Sequence, residues 1–193
     1  MSSRDELLAR LAAQRLEPVP LPSLEGDWTR HADPRERFRV ALGEAAGRVV
    51  TVGLGESLVD VVAGLEVMRG AVICSLTTMC AGTREPPLEP HSFRDVDVLI
   101  VAAQFGVAEN GAVWIDGASV PVRAALFLTQ HLVVLLPQGE VVDNMHRAYE
   151  RIGASLGASS FGCFMSGPSK TADIEQALVV GAHGARSLTL VEY

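Results

Sequence analysis

Ser166-Gly167-Pro168-Ser169-Lys170-Thr171-Ala172-Asp173-Ile174-Glu175, with Gly181-Ala182-His183-Gly184 close behind, gathers hydroxyls, a cation and an imidazole within twenty residues. The apolar run Phe161 to Met165 before it reads as a strand, and Ile174, Ala177, Leu178 and Val180 read as one face of a helix over Thr171 to Val180. A strand that passes through Gly, Pro, Ser and Thr into a helix start leaves backbone N–H groups pointing outward, with the positive end of the helix dipole behind them. Carboxylates and phosphates are held by that geometry. Gly167, Ser169, Lys170, Thr171, Asp173 and Gly184 are therefore candidate ligand-binding residues. The same composition also fits a plain helix cap by Ser169 or Thr171, with Asp173 and Glu175 settling the dipole. The Gly and Lys spacing excludes a Walker A loop. His183 is the one side chain of the motif that titrates near neutrality, which makes it a candidate acid or base; a hydrogen-bonder at a helix C-terminus is the alternative.

A second candidate is Gly106-Val107-Ala108-Glu109-Asn110-Gly111, which follows the strongest buried strand. In open α/β sheets, ligands gather beyond the carboxyl ends of such strands. Glu109 could act there as a base, with Asn110 and Gly111 binding ligand; a solvated turn, with Asn-Gly chosen for its backbone angles, fits equally well. Gly53-Leu54-Gly55-Glu56-Ser57 opens a helix after a strand but lacks the third glycine of the dinucleotide fingerprint. His131 at a strand mouth reads as structural and His146 as a surface residue on a helix. Cys74, Cys80 and Cys163 match no zinc or iron–sulfur spacing and read as reduced, mostly buried thiols, so no metal and no cofactor is expected.

The chain has 193 residues, in the range of roughly 100–200 expected for one domain. A hydrophobic content of 48% and a mean hydropathy of +0.25 fit a well-buried sheet, and with only 5% aromatics the core must be aliphatic. The formal charge of −7, with Arg35, Arg37 and Arg39 alternating with acidic and apolar residues, offers no basic face for nucleic acid. Ser2-Ser3-Arg4-Asp5-Glu6 lacks the order of a signal peptide, and Ala124 to Leu136, broken by Gln130 and His131, is too short to span a bilayer. A cytoplasmic protein without membrane insertion is expected.

Along the chain, Ser3-Arg4-Asp5-Glu6 fits a capping box before a short helix with Leu7, Leu8 and Leu11 on one stripe. Pro18, Pro20 and Pro22 then make an extended connector. Asp33 as cap and Pro34 at the first position predict a helix to about Ala46, closed by Gly47. Strands are expected at Val49 to Val52, Ala71 to Leu76, Asp97 to Ala102, Leu132 to Leu136 and Ser187 to Val191, and helices at Ser57 to Met68 and Val141 to Ile152. Asp116-Gly117 suggests a hairpin turn after Ala112 to Ile115. Alternating helix and strand argue for an α/β architecture with a mainly parallel sheet.

The C-terminal run Ser166 to Glu175, then Gly181-Ala182-His183-Gly184, resembles the signature of the LUD domain, the lactate-utilisation protein C family. The likeness extends to Gly106–Gly111 and to Leu128–Val134, and with the N-terminal helix it spans most of the chain. Asn110 and Ala112 stand where the family has threonines, and Ala185 where it generally has proline. The resemblance implies a three-layer α/β/α fold like the NagB, ribose-5-phosphate isomerase (RpiA) and CoA-transferase group. On the same basis, residues 1–193 form a single domain of this family, with 1–32 as N-terminal helix and Pro-rich connector. It also implies a role beside iron–sulfur oxidoreductase subunits that oxidise L-lactate to pyruvate.

Three functions fit. The first is an accessory subunit of lactate or related organic-acid oxidation that binds a small anion, a carboxylate or phosphate. The second is an independent isomerase- or acyl-transferase-like enzyme with Glu109 as base or nucleophile, by analogy of fold. The third is a module that docks to an iron–sulfur partner through its N-terminal helix.

Overall fold

The computed structural model describes residues 3–14, 19–20, 22–23, 25–153, 161–172 and 176–193. After α1 (Ser3–Ala13) and the connector, α2 (Pro34–Glu44) starts as its sequence dictates. Asp33 is extended, its carboxylate accepts from the Glu36 N–H at 3.0 Å, and Pro34 takes the first position. Phe38, Ala41 and Leu42 form the buried face of α2. The stop differs in detail: the left-handed residue is Ala46, φ +64°, and Gly47 is needed for room, because a Cβ there would stand 2.4 Å from the Leu42 side chain.

The chain then forms β1 (Arg48–Thr51), α3 (Leu58–Ala63), β2 (Ile73–Ser75) and β3 (Val98–Ala102). The helix expected from Ser57 to Met68 stops early: Ser57 caps it, Gly64 ends it, and a 3-10 turn at Glu66–Met68 follows. After β3 come β4 (Phe105–Val107), β5 (Ala112–Asp116), α4 (Ala125–Leu128) and β6 (His131–Leu136). Last are β7 (Val141–Val142), α5 (Met145–Gly153), β8 (Gly162–Met165), β9 (Lys170–Thr171), β10 (Val179–Val180) and β11 (Ser187–Glu192).

Five strands in the order β1-β11-β6-β3-β2, all parallel, make the central sheet. The chain crosses from β1 to β2 in one direction and returns through β3 and β6 to β11 in the other. Right-handed crossovers therefore place the two sets of connections on opposite faces. On one face, Val98, Ile100, Val133 and Leu135 pack under Val62 of α3. On the other, Leu99, Val101, Leu132 and Val134 meet Phe38 and Leu42 of α2 and Leu126 of α4. Helices thus flank a mainly parallel sheet, as the sequence predicts, and the alternation along β3 and β6 is the two-residue period of strands buried on both sides. Beside β2, residues 82–84 run along its outer margin, with the Thr83 and Arg84 N–H groups donating to the Ile73 carbonyl at 2.9 and 3.0 Å.

A second, mixed sheet, β7-β4-β5-β8, covers the far side of α2. Val113 and Ile115 of β5 join the core around α2, while Trp114, with Phe105 and Val107 of β4, packs under Ala148 and Ile152 of α5. Two expectations are corrected here. The hairpin turns at Glu109-Asn110-Gly111, with Val107 opposite Ala112, and not at Asp116-Gly117. There the Asp116 carboxylate accepts from the Ala118 N–H at 3.0 Å and caps a 3-10 turn instead. The helix expected from Val141 also starts late: the β-branched pair Val141-Val142 forms an edge strand beside β4, and Asn144 caps α5 by accepting from the Arg147 N–H at 3.0 Å. No helix among the described residues is long and apolar enough to cross a membrane.

Candidate functional site

Most of the predicted binding residues meet in the turn after β8, on a different local structure from the one expected. Thr171 stands opposite Val179 and Lys170 opposite Val180 in a two-stranded antiparallel ribbon. The helix predicted over Thr171 to Val180 is thus replaced by extended chain at both its ends, where the β-branched Thr171, Val179 and Val180 favour a strand. Asp173 and Glu175 lie outside the described residues. With no helix beginning at Thr171, the dipole invoked from sequence does not act there. The nearby backbone is also engaged locally: the Ser169 N–H donates to the Ala185 carbonyl at 2.9 Å, and the Ser169 carbonyl accepts from the Gly181 N–H at 2.9 Å. The Ser169 main-chain groups are thus taken, and its side chain is what that residue can offer a ligand.

A cavity of about 290 Å³ opens between the stitched segments and β8. Gly167, Ser169, Lys170, His183 and Gly184 line it, so five sequence-predicted residues share one space. Lys170 and His183 are exposed at its mouth. Gly184 permits the close approach of the two segments, since a Cβ there would lie 3.1 Å from the Ser169 Cβ. The inner wall is apolar, from Phe127 of α4 and Met165 of β8, while the Phe164 ring packs on the other face of β8 against Phe105, Trp114 and Tyr149. Sequence reading missed Phe127 and Ser166; a four-residue helix is too short to show a periodic face, and Ser166 reads only as part of the turn. Cys163 also lines the cavity, and burial pushes its thiol above the ordinary value, which disfavours the thiolate.

The other predicted residues sit elsewhere. Gly111, φ +66°, lies on α2, where a Cβ would stand 2.3 Å from the Leu42 nitrogen. Asn110 closes the hairpin by accepting from the Ala112 N–H at 3.0 Å, and touches the cavity wall only through its carbonyl, which accepts from the Ser166 hydroxyl at 2.8 Å. The Glu109 carboxylate accepts from the Met145 N–H at 2.8 Å at the start of α5 and does not line the cavity. The turn therefore rests over the second half of α2 instead of lying beyond the carboxyl end of a central strand. Gly167 has a packing reason of its own: its φ is +70°, and a Cβ would be 2.1 Å from the Ala45 carbonyl oxygen at the end of α2.

At the opposite end of α2 lies a charge cluster that the sequence hid. Glu192, at the end of β11, is 1% exposed and accepts hydrogen bonds from Arg35, Arg39 and the Thr51 hydroxyl. Burial alone would push its carboxyl up, but the Arg39 and Arg35 guanidiniums outweigh that and hold it below the usual value. Near the amino ends of the strands, His131 shares a 2.8 Å hydrogen bond with the Ser187 hydroxyl, and burial, aided by Arg186, pushes its imidazole below the ordinary value. The ring ties the starts of β6 and β11 together, in keeping with the structural role read from sequence. Among the described residues, no group of three or more His, Cys, Asp or Glu is placed to hold a metal ion.

The LUD domain model matches residues 90–191, from the 3-10 turn before β3 to the penultimate residue of β11. The chain belongs to the LUD domain family. Proteins named lactate utilization protein C are among its relatives in this family. The one from Deinococcus radiodurans is 26% identical over 152 residues, covering 78% of this chain and 64% of that protein. The one from Shouchella clausii is 34% identical over 91 residues, covering 46% of this chain and 40% of that protein. This chain thus spans less than two thirds of the length of these relatives. A crystal structure of a DUF162 family protein from Deinococcus radiodurans shares the fold, with a TM-score of 0.61 at 15% identity over 83% of this chain and 96% of that one. The matched LUD segment holds the cavity motif, the hairpin at Asn110 and Leu128–Val134, whereas the N-terminal helix lies outside it.

Proposed function

We propose that this LUD domain chain is a cytoplasmic accessory component of L-lactate, or related organic-acid, oxidation to pyruvate, and that it binds a small carboxylate or phosphate in the cavity beneath Lys170 and His183. One observation carries the reading: Ser169, Lys170 and His183 converge on a space whose apolar side is Phe127 and Met165. A short hydroxy or keto acid has the matching halves. Its carboxylate would take a charge-assisted hydrogen bond from Lys170 and another from Ser169, and its small apolar body would lie against Phe127 and Met165. His183 stands where it could donate to, or accept from, the 2-position oxygen. Oxidising a hydroxy acid requires an electron acceptor, and we assign that part to iron–sulfur oxidoreductase subunits working beside this chain. The names carried by its relatives point the same way.

Calorimetric titration with lactate and pyruvate tests the site. Hydrogen bonds to charged groups contribute about 1.5–3 kcal/mol each, so the Ser169→Ala/Lys170→Ala variant is expected to bind at least about tenfold more weakly than wild type. Equal binding by the two proteins would remove the cavity from consideration.

A docking role for the N-terminal helix is favoured by a separate observation. α1 has no buried residue, and Leu7, Leu8 and Leu11 are 59%, 46% and 58% exposed. We infer that this leucine stripe is covered by the partner subunit. Deleting residues 1–22 should abolish co-purification with that subunit and leave lactate binding intact. Retained co-purification would show that the helix is not the contact.

A further inference from the structure

We propose a second anion site, specific for a phosphate-type oxyanion, in the cleft between the connector and α5, with Arg30 as its anchor. The connector reaches α5 as a clamped segment. The Trp28 ring stacks on His146 with centroids 3.5 Å apart and planes 7° from parallel. The Thr29 carbonyl accepts from the Asn144 side-chain amide at 2.8 Å, and the His31 N–H donates to the Asp143 carboxylate at 2.7 Å. Arg30 lies between two of these anchors. Its backbone is therefore fixed, while its side chain makes no hydrogen bond or ion pair among the described residues. In a chain with 23 acidic and 16 basic residues, a positioned cation without a counter-ion stands out.

Across a cleft of about 430 Å³, Arg30 faces Arg147 and Arg151, four residues apart and so on one face of α5. Both are already held in place. Arg147 pairs with Glu150 at 2.6 Å, and Arg151 pairs with Glu140 at 2.5 Å while its guanidinium lies over the Phe105 ring, 4.7 Å from the centroid. A guanidinium carries five N–H donors in a fixed fork, and each of these two engages its carboxylate through a single nitrogen. Three forks thus converge on one space, two pre-positioned and the third uncompensated. Planar forks of this kind match the oxygens of a phosphate.

The carboxylates of Asp143 and Glu150 share the lining and oppose any anion, so the selectivity lies in the number of acceptor oxygens. A carboxylate offers two oxygens, whereas a phosphate or diphosphate offers enough to engage all three forks at once. The cleft falls within the range of roughly 300–1,000 Å³ usual for small-molecule sites, so the ligand class is a phosphomonoester or diphosphate carried on a small group. The site shares no residue with the cavity beneath Lys170, and its test is independent of the organic-acid reading.

Inorganic pyrophosphate is the probe, titrated calorimetrically at low salt into the full chain. Wild type is expected to bind, with affinity that falls steeply as salt is raised. Arg30→Gln, which removes no hydrogen bond or ion pair among the described residues, is expected to bind at least tenfold more weakly, and Arg30→Lys to fall between the two because it keeps the charge and loses the fork. The pyrophosphate binding that Arg30→Gln removes should persist in Ser169→Ala/Lys170→Ala, whether or not the cavity beneath Lys170 also takes up the probe. No binding by wild type, equal binding by Arg30→Gln, or loss of binding in Ser169→Ala/Lys170→Ala would each overturn the proposal.

Discussion

Gly111→Ala is expected to destabilise the protein by about 3–4 kcal/mol, roughly 1 for a non-glycine residue in the left-handed region and the rest for overpacking. The added Cβ would stand 2.3 Å from the Leu42 nitrogen and 2.6 Å from the Ala41 carbonyl carbon. Those are backbone atoms on the buried face of α2, at Ala41 and Leu42, so no side-chain rotation relieves the contact. Gly167→Ala belongs to the same class, with its Cβ 2.1 Å from the Ala45 carbonyl oxygen. Gly55→Ala separates the two contributions: its φ is +82°, but nothing lies within 4 Å of the added carbon, so only the conformational cost of about 1 kcal/mol remains. Urea midpoints for the three variants check the order. If Gly111→Ala proved no worse than Gly55→Ala, α2 would have to be free to move away from the hairpin. Glycines that look in sequence like places for a ligand to approach are, in this fold, places where α2 approaches.

Removing both guanidiniums from Glu192 should have a comparable effect. An ion pair broken from one side leaves an uncompensated buried charge, which costs about 3–5 kcal/mol, so that loss is expected for Arg35→Met/Arg39→Met and about half of it for Arg39→Met alone. Glu192→Gln should cost less, about 1–2 kcal/mol, because Arg35 and Arg39 are 34% and 31% exposed and can turn to water. The pH dependence has a definite sign. The folded-state value of Glu192 is lowered, so the stabilisation is fully present above the unfolded carboxyl's pKa of about 4.3 and is lost as pH falls through the folded-state value. Denaturant melts of wild type and Glu192→Gln should therefore differ at pH 7 and converge below about pH 4. A gap that stayed constant across that range would mean that the pair is not ionised as drawn.

The elements that sequence placed well are those whose signals are local. Asp33-Pro34 caps α2 as read, and the unbroken run Asp97 to Ala102 is β3, paired with strands on both sides. Misplaced elements depended on partners distant in the chain. Val141-Val142 looks helical beside the amphipathic stretch that follows, but β4 is available to pair with it. Thr171 to Val180 carries a helix-like spacing, but Lys170-Thr171 finds Val179-Val180 as a partner strand. At the candidate site, sequence grouped Ser169, Lys170, His183 and Gly184 correctly, because they come from one short stretch folded back on itself. It could not foresee that Gly111 would face α2, nor that Glu192 would meet Arg35 and Arg39, since both outcomes join residues more than sixty positions apart.

Residues 82–84 alongside β2 bear on how copies of this molecule can associate. A parallel sheet normally ends in unpaired N–H and C=O groups, which another chain can use as a template. At β2 the Ile73 carbonyl already takes two N–H donors from that strap, and a Cβ at Gly82 would come within 2.7 Å of the same oxygen, so the strap lies too tight for an incoming strand. The opposite margin, β1, offers four residues beginning with exposed Arg48 and ending with exposed Thr51. Growth of the central sheet into a continuous intermolecular ribbon is thus obstructed on one side and poorly supported on the other, which steers any self-association toward contact between surfaces.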